Sequence, residues 1–89
     1  MNDKLINASF KIVAAGAQEY LRCHNLRADD SALLACCKSW LKIELPNALR
    51  DAKEAMDCHM PQVAETTFKA TLFNAGIEAA KEAAQPVSV

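Results

Sequence analysis

Six residues could ligate a metal or exchange thiols, and they come in adjacent pairs: Cys23-His24, Cys36-Cys37 and Cys58-His59. Thiolate and imidazole are ligands that zinc favours, and structural zinc sites usually draw paired ligands two to four residues apart. The chain has no Cys-x-x-Cys and no His-x-x-x-His. A zinc site would therefore have to be assembled from distant segments. The same side chains could instead serve a redox response. Cys36 and Cys37 cannot bridge to each other without severe backbone strain. Four cysteines would allow two disulfides in an exported protein. The plainer expectation is four small, mostly buried hydrophobes with free thiols in a reducing compartment.

Other chemistry finds no template. The only glycines, Gly16 and Gly76, both fall within helical patterns, so no glycine-rich loop can cradle a phosphate. There is no Gly-x-Ser-x-Gly elbow and no His-Glu-x-x-His helix. Neighbours on a helix point about 100° apart, so Cys23 and His24 do not form a nucleophile–base pair. A chain of 89 residues is also expected to have little room for a recessed pocket of ~300 Å3 or more. No catalytic and no cofactor-binding residue is assigned. Zinc is the one cofactor the Cys/His set leaves open.

Charge narrows the partners. The net charge is −1, with acids and bases interspersed. Binding a polyanion normally shows as a basic stripe, so neither nucleic acid nor an anionic membrane surface is expected. The best recognition-helix candidate, Asn47 to Cys58, carries Arg50 and Lys53 but also Asp51, Glu54 and Asp57, which phosphates would repel. Its i, i+4 spacings, Arg50–Glu54 and Lys53–Asp57, read as a solvated face. Near the start, Leu5 to Ala17 is fairly apolar but is interrupted by Asn7, Ser9 and Lys11. A secretory core needs about 7–15 uninterrupted apolar residues, and a membrane span ~20. A cytoplasmic protein is expected.

The elements that must position these residues are helices. Alanine is abundant, glycine and proline are scarce, and no cluster of β-branched residues reads as a strand. Ile6, Phe10, Val13, Ala17 and Leu21 recur at helical spacing after a cap at Asn2 or Asp3. Gly16 lies mid-helix, where it either marks a close helix crossing or has no role. Asn25 suits a left-handed terminator. Asp29, Asp30 or Ser31 caps the next helix, which carries Trp40 as an anchor at the bundle edge. Met60-Pro61 ends the segment before a last helix, and Pro86 ends that one.

Pro46 decides the architecture. An interior proline costs about 3 kcal/mol, which favours a break there. Yet Leu34, Cys37, Leu41, Leu45, Ala48, Ala52 and Ala55 keep one apolar stripe across it, as a single helix kinked at Pro46 would. The expected fold is all-α: a small antiparallel bundle of four helices (4–23, 31–44, 47–58 and 62–84), or of three with one long kinked helix. It forms one domain over 1–85, with a disordered tail over 86–89. If the chain reverses at Pro46, Cys23, His24, Cys58 and His59 gather at one end, with Cys36 or Cys37 within about two turns.

The last helix is apolar on two faces, so it is either central or shared with a second subunit. Phe68, Leu72, Phe73 and Ile77 are the candidate interface. The expected function is a non-enzymatic interaction or scaffold module, self-associating as a homodimer or binding another protein. A Cys/His metal-binding or redox-responsive module is the alternative.

Overall fold

A computed structural model describes residues 3–84. The expected caps at Asn2 and Pro86 and the tail 86–89 lie outside the described residues. Three helices make up the fold: α1 (Asp3–Cys23), α2 (Asp30–Asp57) and α3 (Pro61–Ala83). No strand occurs among the described residues.

Local chemistry sets each boundary. α1 ends in a left-handed residue, Asn25, at φ 52°. The Leu26 N–H bonds to the Leu21 carbonyl at 2.8 Å and the Asn25 N–H to that of Arg22 at 3.3 Å. This is a Schellman closure, with Leu26 folding back towards Leu21 in the core. Of the three candidate caps, Asp29 starts α2: its carboxylate accepts from the Ala32 N–H at 3.1 Å. At the other end of α2 His59 takes the left-handed conformation, φ 58°. There the Met60 N–H bonds to the Ala55 carbonyl and the His59 N–H to that of Met56, each at 2.9 Å. Pro61 opens α3, where its missing N–H costs nothing.

The expected break at Pro46 does not occur. α2 runs through the proline as one helix of 28 residues. The continuous stripe accounts for this: Leu41, Leu45 and Ala48, on both sides of Pro46, are all buried. A break would withdraw half of that stripe from the core. Continuing the helix keeps the buried Ala48 and the half-buried Ala52 and Ala55 on the face that Leu41 and Leu45 bury, and this packing offsets the cost of the interior proline.

α3 is the central helix. It packs along both α1 and α2, which touch each other little. This central position gives its two apolar faces partners within the chain. Contacts fix the directions. Lys81 lies 5.9 Å from the Tyr20 ring, so the ends of α1 and α3 meet and the two run parallel. The Trp40 indole N–H donates to Glu82 at 2.8 Å, so the first part of α2 lies beside the end of α3 and runs opposite to it. Trp40 is half-buried at the edge of the bundle, as its size and polar N–H require.

Small residues make the packing close. Ala75, Gly76, Ala79, Ala80 and Ala83 of α3 are buried, as are Gly16 and Ala17 of α1. Gly16 sits at the crossing of α1 and α3: a Cβ added there would lie 2.9 Å from the Phe73 carbonyl carbon. Ser9 is fully buried on the same helix, and its hydroxyl has no hydrogen-bond partner among the described residues.

Candidate functional site

The Cys/His pairs are not brought together. Because α2 is continuous, Cys58 and His59 follow its far end, whereas Cys23 ends α1 and His24 lies between it and the start of α2. At 1.5 Å per residue, Cys36 and Cys58 are separated by up to ~33 Å. The expected convergence is therefore overturned. No group of three or more His, Cys, Asp or Glu side chains stands within reach of one ion among the described residues.

Each pair has its own surroundings. The exposed Cys23 thiol donates to Glu19 Oε1 at 3.3 Å, and Arg22 Nη2 lies 3.6 Å from its sulfur. The hydrogen bond to Glu19 raises the Cys23 pKa, with burial and the Glu19 charge adding to it. Glu19 also pairs with Arg22, which lowers its own pKa. His24 packs on the Tyr20 ring with centroids 4.3 Å apart. Cys37 is buried in the core, and burial raises its pKa. Cys36 is half-buried; burial first and the Glu82 charge second raise its pKa. Cys58 is exposed, and all four thiols are free.

The candidate interface residues on α3 are partly engaged within the chain. Leu72 is fully buried within the chain's own core. Phe68, Phe73 and Ile77 are half-buried, and Phe68 packs on that core. Each of these three side chains keeps part of its surface open.

A large concavity lies where little room for one was expected. α1 and α2 diverge on the flanks of α3 and leave a groove of about 630 Å3 between them. Ile6 and Phe10 of α1 form one side, and Leu41, Leu45 and Leu49 of α2 the other, with Leu34 and Pro46 completing the apolar lining. Leu34 and Leu49 remain 45% and 39% exposed, whereas Leu41 and Leu45 form a floor only 7% and 6% exposed. Between Leu34 and Leu49 the groove follows α2 for ~22 Å, about four turns.

The polar lining of this groove is Asn7, Lys38 and Lys42. Lys38 and Lys42 stand at i, i+4 on one face, a like-charge spacing that costs about 0.2–0.5 kcal/mol in an isolated helix. Lys69 and Lys81 have carboxylate partners at 2.8 and 3.2 Å, whereas neither groove lysine has an ion-pair partner among the described residues. Pro46, without an N–H, leaves the Lys42 carbonyl without its usual donor at the same wall. A second concavity, about 550 Å3, lies between α1 and α3 around Ile12 and Phe73 and is bordered by Lys11 and Lys69. It is shallower, and Lys69 is already paired with Glu65.

No known family, curated protein or solved structure matches this chain. The groove had no signature in the sequence, because it depends on how far two helices diverge. Leu34, read as part of the continuous stripe of α2, instead stands 45% exposed on the groove wall. No described helix is long and apolar enough to cross a membrane.

Proposed function

We propose that this protein is a non-enzymatic interaction module that docks an amphipathic helix in the groove between α1 and α2. One observation carries the reading: α1 and α2 both pack on α3 but barely meet, so an apolar trough four turns long stays open beside the core. A helix laid in such a trough uses side chains at i, i+3/i+4 and i+7 as anchors, the recurrent helix-in-groove mode. The volume lies within the range of ordinary binding sites, ~300–1,000 Å3. The lining is apolar apart from Asn7, Lys38 and Lys42, with no carboxylate, imidazole, hydroxyl or thiol among its side chains.

Binding supplies the test. The probe is an 18-residue helical peptide with leucines at i, i+4, i+7 and i+11 on an alanine–glutamine background, carrying a fluorophore. Its anisotropy should rise on adding the protein. Leu34→Glu places a charge on the groove wall at an exposed position and should weaken that binding at least tenfold without loss of helicity. Equal binding by Leu34→Glu, or none by the wild type, would refute the reading. Sedimentation of the same samples reports whether a second copy of the chain occupies the groove instead.

A further inference from the structure

Resting on that reading, the charges around the groove specify the partner further: we infer that the docked helix is acidic along its flanks and belongs to a different protein. The two lysines bordering the apolar floor, Lys38 and Lys42, lie one turn apart on α2. They repel each other and have no carboxylate within ion-pair distance among the described residues. No acidic side chain lines the groove. An arriving helix with Glu or Asp beside its apolar anchors supplies the missing countercharge. Its apolar stripe covers Leu34 and Leu49, which are otherwise 45% and 39% exposed.

A second copy of this chain fits less well. Its own exposed apolar stripe on α2 carries the same lysines, and a two-fold pair presents the same surface from both sides. Groove against groove would therefore bring basic borders together. Like charges juxtaposed across an interface disfavour that pairing and select for a partner of opposite sign. An acyl chain with a carboxylate shares the charge and the apolar body. The groove is an open trough between two helices, however, and its length matches about four turns of helix.

The experiment compares two 18-residue peptides with identical leucine anchors, one flanked by glutamate and one by lysine, against the wild type and a K38E/K42E double variant. Both substitutions are at exposed positions. At low salt the wild type should favour the glutamate peptide by about 3- to 30-fold, as expected of two partly exposed ion pairs. K38E/K42E should reverse the preference, and 0.5 M salt should erase most of it. Equal binding of both peptides by the wild type would overturn the acidic-partner inference while leaving helix docking intact. Absence of binding by either peptide, and by the uncharged one, would instead remove the docking reading itself. Concentration-dependent dimerisation that Leu34→Glu abolishes would show a second copy as occupant and overturn the inference. So would displacement of the glutamate peptide by micromolar palmitate below its critical micelle concentration.

Discussion

Gly16 and Gly76 face each other's helices so closely that neither position has room for a side chain. A Cβ at Gly76 would stand 2.8 Å from the Ala17 backbone nitrogen and would overlap the Val13 carbonyl oxygen; one at Gly16 would overlap the Phe73 carbonyl oxygen. These are backbone atoms, which cannot rotate away. Gly16→Ala and Gly76→Ala should each destabilise the protein by roughly 1–3 kcal/mol, as overpacking does, even though alanine is intrinsically the better helix former by about 1 kcal/mol. Urea unfolding gives the number. A neutral or stabilising result at either position would mean that α1 and α3 do not cross there.

Ser9 should behave in the opposite way. Its hydroxyl is fully buried without a partner among the described residues. An unsatisfied buried polar group costs about 1–3 kcal/mol, so Ser9→Ala should raise stability by roughly 1 kcal/mol. A loss on the same urea assay would show that the hydroxyl is hydrogen-bonded in solution.

Pro46 is retained inside α2 against its own propensity. Pro46→Ala restores the N–H to the Lys42 carbonyl and should stabilise the helix by up to about 3 kcal/mol with unchanged helical content by circular dichroism. A gain in ellipticity worth several residues would instead show that the wild-type helix is broken at the proline.

The sequence reading went furthest where local signals and packing agree. Asn25, Asp29 and Pro61 mark real boundaries because each acts through its own backbone or side chain. Gly16 was legible as one of two alternatives, and the contact with Phe73 decides between them. At Pro46 the signals conflicted. The local cost favoured a break, but the stripe through Leu41, Leu45 and Ala48 prevails because burial is summed over several residues. The apolar character of α3 was visible, and its packing between α1 and α2 uses much of it. The groove could not be seen, since the separation of α1 and α2 is a property of three helices together.

The thiols should differ in reactivity. Cys58, exposed and without a side-chain hydrogen bond among the described residues, should be alkylated before Cys23, whose thiol donates to Glu19 and has a raised pKa. Cys37, buried in the core, should react last, only as the protein opens. Iodoacetamide labelling read by mass spectrometry orders them. Because burial raises the folded-state pKa of Cys37, its contribution to stability is full below the unfolded thiol value of about 8.5 and is lost as pH rises through the folded value. Stability should therefore fall on the alkaline side more steeply in the wild type than in Cys37→Ala. Identical slopes would contradict this.

The continuity of α2 has a direct ruler. Spin labels on Cys23 and Cys58, with Cys36 and Cys37 replaced by alanine, should give a pulsed-dipolar distance of about 30 Å or more, as opposite ends of a bundle about six turns long or more must. A main distance below 20 Å would restore the gathered arrangement of the Cys/His pairs.

Methyl-resolved NMR tests the groove most directly. The protein is labelled at Leu, Ile and Val methyls and titrated with the glutamate-flanked peptide. The expected shifts fall on Ile6, Leu34, Leu41, Leu45 and Leu49, the aliphatic side chains along the groove between α1 and α2, and leave Val63 and Ile77 of α3 unmoved. Shifts centred on Ile12 and Ile77, or none at saturating peptide, would contradict the assignment of the groove as the docking surface.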